Sequence, residues 1–313
     1  MLLEIKNIVA EPEKDINWEL PAIPDRLKPR CLSDLIKEIP EFQKALLPNS
    51  RWAITQINRA LKNNQFIEPS RETKKRNLYS NVALAIDRGA ILLRGQIKNE
   101  LLIQRLQQYD DYGKKLATII EKFEPIAQDS IFSRETAGYL FLLGKLEPIF
   151  RGFRPISDIK ALGLPSQFKR TTIEKWLTEI VSDEVSEEIL DLLICLDKLR
   201  LPGQFHDNPI FGGIGPVLGS DGDWITGDTL VELKCTVRGM KREYVVQVVC
   251  YAALSKIGSK TSTIPPINKI AICFPRQSSV IVGSIEDWLR VFGAPSPEIV
   301  FKSIENYFSS YKL

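Results

Sequence analysis

The chain has 313 residues, of which 44% are apolar and 26% are charged, as is usual for a globular protein. Its formal net charge of +3 is too small to indicate nucleic-acid binding by itself, so any such contact requires local basic clusters. No apolar run approaches the roughly 20 residues that cross a bilayer, and Met1–Lys6 lacks the layout of a secretory signal. We therefore expect a soluble, cytoplasmic protein of two domains without membrane contacts.

The first 40 residues combine a short strand pattern with a proline-rich stretch. The strand pattern runs from Leu2 to Ala10, and prolines recur between Pro21 and Pro40. Because proline interrupts both helices and central strands, we expect the second stretch to cross the surface.

Helical spacing dominates from about Glu41 to Arg200. Apolar residues that recur at i, i+3, i+4 and i+7 form one face of a helix. The clearest set is Leu116, Ile119, Ile120 and Phe123. Thr171–Glu174 has the form of a capping box and predicts the start of the helix that contains Trp176.

The change from helical to strand patterns sets the predicted domains. Residues 187–199 are apolar on more than one side, which indicates a helix packed against a sheet. We therefore predict an α+β protein with a mainly helical region, residues 1–182, for substrate or partner recognition. The strands then belong to a second domain, residues 183–313.

Two groups of basic residues in the helical region are candidate DNA contacts. The first follows Pro69 in a segment predicted to be a loop and consists of Arg71, Lys74, Lys75 and Arg76. A solvated loop is the alternative for such a cluster. The second group interleaves arginines with aromatic rings and consists of Phe150, Arg151, Phe153 and Arg154. Such a group is suited to binding single-stranded DNA, and anchoring of the helices is the alternative.

Residues 219–234 predict a two-stranded hairpin. Trp224–Thr226 and Thr229–Val231 have strand composition and flank the pair Gly227-Asp228. A Gly-Asp pair between two such runs is typical of a two-residue turn, since glycine adopts positive φ at little cost. The resulting register places Trp224 opposite Val231.

The same register gathers charged side chains on one face. Extended along the strands, it places Asp223 opposite Glu232 and Asp221 opposite Lys234, and side chains alternate between the two faces of a strand. Clustered carboxylate oxygens are the ligands of Mg²⁺ or Mn²⁺, and a neighbouring lysine can orient a water molecule. A solvated hairpin edge is the alternative.

A mainly apolar helix and a buried strand follow the hairpin. The helix is predicted from about Lys241 to Lys256, and the strand from Lys269 to Phe274. Gln247 and Tyr251 lie four residues apart and share one helix face. Since a helix that is apolar on most sides is buried, these two polar side chains need partners, and we expect them to face the carboxylates.

This order of residues resembles the RecB-like branch of the PD-(D/E)xK nuclease superfamily. The shared features are Gly-x-Asp-x-Asp, a hairpin, Glu-x-Lys, Gln-x-x-x-Tyr on a helix, and a strand, between about Asn208 and Val282. The segments Asn208–Phe211 and Phe274–Gln277 are similar to parts of the same group. The resemblance implies a restriction-endonuclease-like αβββαβ core within residues 183–313.

The resemblance also implies roles for the site residues. Asp223 and Glu232 hold Mg²⁺ or Mn²⁺, the carbonyl group of Leu233 is a further ligand, and Asp221 is the rival to Asp223. Lys234 orients the attacking water or stabilises charge on the phosphate. The side chains of Asp223, Glu232 and Lys234 are each expected to be essential for cleavage but not for folding.

The remaining candidates lie on either side of this motif. Gln247 and Tyr251 support the site or contact the DNA backbone. His206, the single histidine, is a candidate upstream metal ligand or a residue of a proline- and glycine-rich connection. The alternative ligands are carboxylates of the preceding helix, which otherwise complement the dipole at a helix start: Glu187, Glu188 and Asp191. Lys241 and Arg242 open the helix beside the site and are predicted to bind DNA.

Five cysteines are present, and no two of them have C-x-x-C spacing: Cys31, Cys195, Cys235, Cys250 and Cys273. Buried thiols in a reducing compartment explain them better than an iron–sulfur cluster or a zinc site. We therefore expect Mg²⁺ or Mn²⁺ as the cofactor.

The sequence thus predicts a metal-dependent deoxyribonuclease. The resemblance implies DNA as the substrate and a helicase, an ATPase or another subunit of a prokaryotic repair or defence assembly as partner. The alternative is a catalytically inactive subunit that keeps the nuclease fold for DNA binding or as a scaffold. Intact Asp223, Glu232 and Lys234 favour the enzyme.

Overall fold

The computed structural model describes residues 1–9, 18–22, 24, 28–95, 97, 99–150, 173–257 and 264–311. These residues confirm the mixed α+β class and form two compact units. Unit 1 comprises Met1–Phe66, Leu201–Lys234 and Arg238–Leu313, and unit 2 comprises Ile67–Arg200 and Cys235–Val237. In the described part of the chain, no helix has both the length and the apolar character to span a membrane.

The described strands all belong to unit 1. In chain order they are β1 (Leu2–Glu4), β2 (Phe205–Asp207), β3 (Ile210–Phe211), β4 (Ser220–Asp221), β5 (Trp224–Thr226), β6 (Thr229–Leu233), β7 (Lys269–Phe274) and β8 (Ser279–Ser284). Six of them form one mixed sheet in the order β1-β8-β7-β6-β5-β2, and β3 and β4 form a separate antiparallel pair. Strand β6 pairs parallel to β7, and β1 pairs parallel to β8, while the other neighbours are antiparallel.

The described helices of unit 1 flank those of unit 2 in the sequence. Unit 1 begins with α1 (Ile5–Ile8), α2 (Leu32–Glu38), α3 (Pro40–Leu46) and α4 (Ser50–Lys62). Unit 2 contains α5 (Arg71–Arg76), α6 (Tyr79–Leu92), α7 (Glu100–Gln107), α8 (Asp111–Asp129), α9 (Arg134–Phe150), α10 (Ile173–Glu179) and α11 (Asp183–Lys198). Unit 1 resumes with α12 (Arg242–Ile257), α13 (Ile285–Val291) and α14 (Pro297–Ser309).

The core of unit 1 surrounds α12. Apolar side chains cover most of this helix, from Val245 to Leu254, and they are buried against β6 and β7 and against α2, α3, α4 and α14. The side chains of Ile225 and Leu230 contribute to the same core from the hairpin. As predicted from its composition, α12 is therefore a buried helix, and any polar group on it must find a partner inside the unit.

The N-terminal segment differs from its prediction. The strand ends at Glu4, and β1 pairs with β8, so the start of the chain extends the sheet. The prediction that residues 21–40 only cross the surface was wrong, because α2 lies in this stretch and buries Leu32, Leu35 and Ile36 beside α12. Short helices between prolines bury their apolar side chains like any others. Residues 1–66 thus belong to the unit that holds the sheet, and the predicted domain boundary at residue 182 is not a boundary of either unit.

Two further predictions in the helical part were wrong. Helix α11 was expected to pack against a sheet, but it packs against α6 and α9 within unit 2, since an apolar face does not specify its partner. The basic segment after Pro69 was expected to be a loop, but it forms α5, which starts at the Ser70 cap. The helix around Trp176 is confirmed as α10, while Thr171 and Thr172 of the predicted capping box lie outside the described residues.

Unit 2 contains a buried polar network around Asn99. Its side-chain amide donates to Glu124 Oε2 at 2.6 Å and to the Tyr139 hydroxyl at 3.0 Å. Burial raises the pKa of the Glu124 carboxyl, and the nearby charge of Glu100 adds to the rise, although the hydrogen bond from Asn99 opposes it. The folded protein therefore binds a proton at Glu124 more tightly than the unfolded chain does.

This shift predicts a pH dependence of stability. The free energy of unfolding should fall as pH rises from about 4.3, where an unperturbed glutamate titrates, through the raised pKa of Glu124. Glu124→Gln should remove this component and make unit 2 more stable at neutral pH. Thermal unfolding measured between pH 4.5 and 8 tests this expectation, with Glu121→Gln, an exposed change on the same helix, as the control. Equal pH slopes for Glu124→Gln and the wild-type protein would contradict it.

Candidate functional site

The hairpin has the predicted register. Trp224 pairs with Val231, Ile225 with Leu230, and Thr226 with Thr229 across the turn at Gly227-Asp228. Gly227 has a φ of 58°, the left-handed conformation that the turn requires. Because β6 lies between β5 and β7, the residues that follow Leu230 are placed in the interior of the sheet.

Asp223, Glu232 and Lys234 meet at the end of this hairpin. Asp223 Oδ2 accepts a hydrogen bond from the backbone N–H of Leu233 at 2.5 Å, which fixes the carboxylate beside the end of β6. Lys234 Nζ donates to Glu232 Oε1 at 2.5 Å. The side chains of Lys234 and Glu232 are only 17% and 4% exposed, so the ion pair is largely removed from solvent. Of the four charged side chains predicted to share one face, Asp223, Glu232 and Lys234 therefore lie close together at the end of β6.

The charge state of Lys234 follows from these neighbours. Burial by itself lowers the pKa of a lysine, but the charges of Glu232 and Asp223 and the hydrogen bond to Glu232 outweigh it, so the pKa of Lys234 is raised. The ammonium group therefore stays protonated at neutral pH. A fixed cation beside two acidic side chains is an arrangement that can orient an anion or a water molecule.

Asp221 does not occupy its predicted position opposite Lys234. It lies in β4 and pairs with Ile210 of β3. On the edge that faces β2, the N–H of Asn208 donates to the Asp223 carbonyl, and the N–H of Gly222 donates to the Pro209 carbonyl, each at 3.0 Å. On the opposite edge, which faces β6, the N–H of Leu233 donates to the Asp223 side chain, and the backbone pairing of the hairpin stops at Trp224 and Val231.

Gln247 and Tyr251 face the carboxylates, as predicted. Gln247 Oε1 accepts a hydrogen bond from Lys234 Nζ at 3.3 Å, and Gln247 Nε2 donates to the Tyr251 hydroxyl at 2.7 Å. The Tyr251 ring stacks on Phe211 with a centroid distance of 5.0 Å. Burial, followed by the charge of Glu232, raises the pKa of Tyr251, so its hydroxyl stays protonated. A chain of hydrogen bonds thus joins the helix to the lysine of the hairpin.

One atom of this group has no hydrogen-bond partner among the described residues. Glu232 Oε2 is buried and accepts no hydrogen bond from the part of the chain that the structure describes, although Oε1 of the same carboxylate binds Lys234. Buried carboxylate oxygens are costly when they remain unsatisfied, and such exceptions in folded proteins often mark a functional or ion-binding position. This oxygen is therefore available to a ligand.

The other predicted metal ligands are less closely gathered. His206 lies in β2 and pairs with Ile225, two positions along the strand from the level of Asp223. Leu233 ends β6, opposite Cys273 of β7. Within the described ranges, no three or more His, Cys, Asp or Glu side chains are grouped as a metal site. The geometry thus offers the pair Asp223 and Glu232 and adds neither His206 nor Asp221 to it as a third ligand.

Both predicted DNA-binding cations at the start of α12 have partners within unit 1. Lys241 Nζ lies 3.0 Å from Glu243 Oε1, and the Arg242 guanidinium donates to the Ser50 hydroxyl at 2.5 Å. The side chain of Lys241 is 36% exposed. Lys241 is therefore accessible to a ligand, whereas Arg242 is held against α4. The arginines at 151 and 154 lie outside the described residues.

Sequence reasoning missed Tyr244. Lys234 Nζ lies 4.9 Å from the centroid of its ring, and Lys241 Nζ lies 5.5 Å from the same centroid. At these distances the ring faces attract ammonium groups. The signal was present in the sequence, because Tyr244 precedes Gln247 by three residues and Tyr251 by seven, which places all three on one helix face.

The five cysteines all lie within the described residues, and none of them is joined to another by a disulfide bond. Cys195, Cys250 and Cys273 are buried, and Cys31 and Cys235 are partly exposed. Burial raises the pKa of the Cys250 thiol, which makes it unreactive at neutral pH.

Comparison with known proteins gave no relative. The chain matches no protein-family model, no curated protein and no solved structure.

Proposed function

We propose that this protein is a metal-dependent DNA nuclease that hydrolyses phosphodiester bonds at the site formed by Asp223, Glu232, Lys234, Gln247 and Tyr251. The observation that carries the proposal is the buried Glu232 carboxylate: one oxygen binds Lys234, and the other accepts no hydrogen bond from the described residues. A protein that needed this ion pair only for stability would gain nothing from a buried oxygen left without a donor.

The donor set of this site fits Mg²⁺ or Mn²⁺. Asp223 and Glu232 would hold the ion through carboxylate oxygens, which hard divalent cations prefer, while water and substrate phosphate often complete the coordination of Mg²⁺. Two carboxylates therefore suffice for such a site. When bound, the cation supplies charge neutralisation at the phosphate and activates water.

The protein's own residues supply positioning. The Lys234 ammonium, held between Glu232 and Gln247, is fixed where it can orient the attacking water or stabilise negative charge that develops on the phosphate. Tyr251 fixes Gln247 through its hydroxyl, and Tyr244 flanks the ammonium with its ring. Lys241, partly exposed beside Tyr244, is a candidate contact for the DNA backbone.

The resemblance to RecB-like PD-(D/E)xK nucleases supports the same proposal. It rests on Asp223, Glu232, Lys234, Gln247 and Tyr251 in the order typical of that branch. A hairpin followed by a buried helix and a parallel strand agrees with the later part of an αβββαβ core. On this proposal the protein acts in the cytoplasm, with a helicase or another subunit of a DNA-repair or defence assembly as its partner.

The test is a cleavage assay with purified protein on linear, circular, single-stranded and double-stranded DNA. We expect cleavage with Mg²⁺ or Mn²⁺ and complete loss of cleavage in excess chelator, without unfolding, because the ion binds only at the site. Glu232→Gln, purified in the same way, controls for contaminating nucleases.

Two results would contradict the proposal. Cleavage that persists in chelator would exclude the metal-dependent mechanism. Stable DNA binding without cleavage under any metal condition would favour the inactive DNA-binding subunit instead. Stoichiometric zinc or an iron–sulfur absorption band in the purified protein would overturn a different prediction, that the cysteines are thiols that bind no metal.

A further inference from the structure

Helix α5 of unit 2 carries four cations in six residues. Arg71, Lys74, Lys75 and Arg76 are all exposed, whereas Thr73 of the same helix is fully buried. The helix therefore presents its basic side chains to solvent and is attached to the unit through its other side. None of these residues belongs to the site of unit 1.

Two carboxylates of α11 fix α5 in place. Glu188 Oε2 accepts hydrogen bonds from the Ser70 N–H at 2.9 Å and from the Thr73 hydroxyl at 2.6 Å. Glu184 Oε2 accepts from the N–H of Glu72 at 3.2 Å. Glu188 is buried, so these bonds are shielded from water. The basic residues are thus displayed by a fixed helix and not by the loop that the sequence predicts.

The charge of this surface is not balanced. Lys74 pairs with Glu68 at 3.1 Å, and Arg76 pairs with Glu72 at 3.4 Å. Arg71 and Lys75 make no ion pair with any other residue that the structure describes. They lie four residues apart and are therefore neighbours on the helix surface. The pair presents two uncompensated positive charges side by side.

A further cation lies close to the same surface. Burial, and then the charge of Arg76, lowers the pKa of Lys145 on α9. An anion bound near these groups would relieve their mutual repulsion. The surface around α5 is thus suited to a polyanion with regularly repeated charges.

We propose that α5 binds the sugar–phosphate backbone of DNA, independently of base sequence, through Arg71 and Lys75 with support from Lys74 and Arg76. The choice of DNA as the polyanion rests on the proposed nuclease function. Positive side chains that replace counterions along the backbone give binding that is sensitive to salt and insensitive to sequence. The helical unit thereby contributes to substrate affinity without taking part in the chemistry.

The test measures binding of the full-length protein to a fluorescent DNA duplex by anisotropy, in chelator, so that cleavage is suppressed. Arg71→Gln/Lys75→Gln should weaken binding about tenfold at 0.1 M salt and reduce the slope of log affinity against log salt by about 2. Lys75→Glu alone should act in the same direction. Lys122→Gln/Lys198→Gln, which removes two exposed cations from α8 and α11, is the matched control and should change neither quantity.

Each other outcome is decisive. Unchanged DNA affinity and salt slope in Arg71→Gln/Lys75→Gln would overturn the proposal. Binding of the same variants to phosphatidylserine vesicles is measured in parallel, and a loss of affinity for the vesicles alone would overturn it as well. Weakened DNA binding by these variants would support it even if the wild-type protein cleaved no DNA with any metal. Normal cleavage together with unchanged DNA binding by the variants would support the nuclease function and show that α5 does not bind its substrate.

Discussion

Glu232→Gln is expected to lower kcat for DNA cleavage by at least about 1,000-fold in the proposed nuclease, because the variant keeps the shape of the side chain but loses its charge. The amide oxygen can still accept the hydrogen bond from Lys234, and the charge of Asp223 still offsets that of the ammonium group, so the fold should be preserved. Steady-state kinetics on linear DNA with Mg²⁺ measures the effect. Asp228→Asn, which removes an acid from the turn of the same hairpin, is the control and should cleave normally.

Lys234→Ala should differ from Glu232→Gln in its effect on stability. It leaves the buried Glu232 carboxylate without its cation, and breaking a buried pair in this way costs about 3–5 kcal/mol. The sequence predicted that the site residues are dispensable for folding, and the burial of the pair indicates the opposite for this change. Denaturant unfolding of the two variants separates the effects.

The double variant Glu232→Gln/Lys234→Gln completes this test. Members of one catalytic unit are not additive, so it should cleave DNA hardly less well than Glu232→Gln alone. Its stability should exceed that of Lys234→Ala, because no buried charge is left unpaired. Wild-type cleavage by any variant of Lys234 would remove this residue from the mechanism.

Gly215→Ala should lower the free energy of unfolding by about 3 kcal/mol or more. Gly215 has a φ of 53°, and a Cβ atom at this position would lie 1.9 Å from the Phe308 carbonyl oxygen. Both the strained conformation and the collision with the backbone of α14 oppose any side chain. Since α14 packs against α12, the disturbance should also reach the helix that carries Gln247.

Gly212→Ala is the matched control for this prediction. It changes a glycine of the same loop, but its Cβ atom would meet no atom of the described residues within 4 Å, so stability should change little. Thermal and denaturant unfolding of the two variants provide the comparison. Equal stability of Gly215→Ala and Gly212→Ala would show that the loop moves away from α14 at little cost.

Local patterns were sufficient to predict the elements that carry the candidate site. The Gly227-Asp228 turn determined the pairing of Trp224 with Val231, because a two-residue turn permits few registers. The spacing of Gln247 and Tyr251 determined that they share a face, and the apolar remainder of α12 determined that the helix is buried. These inferences depend on contacts only a few residues apart in the sequence.

Contacts between distant segments were decided by the tertiary structure. Asp221 does not come opposite Lys234, because the hairpin pairing stops at Trp224 and Val231 and the N–H of Leu233 beyond it donates to the Asp223 side chain. Local spacing does not show where a side chain replaces a backbone partner. Helix α11 has an apolar surface that fits a sheet or other helices equally well, and it packs against α6 and α9.

The sequence by itself therefore determined the hairpin, the buried helix and the side chains that meet between them. Only the tertiary structure decided that the Lys234–Glu232 pair is buried, that residues 1–66 belong to the unit of the sheet, and that α5 is a fixed helix. The physical reason is that propensity and periodicity act along the chain, whereas burial depends on which distant surfaces exclude water together.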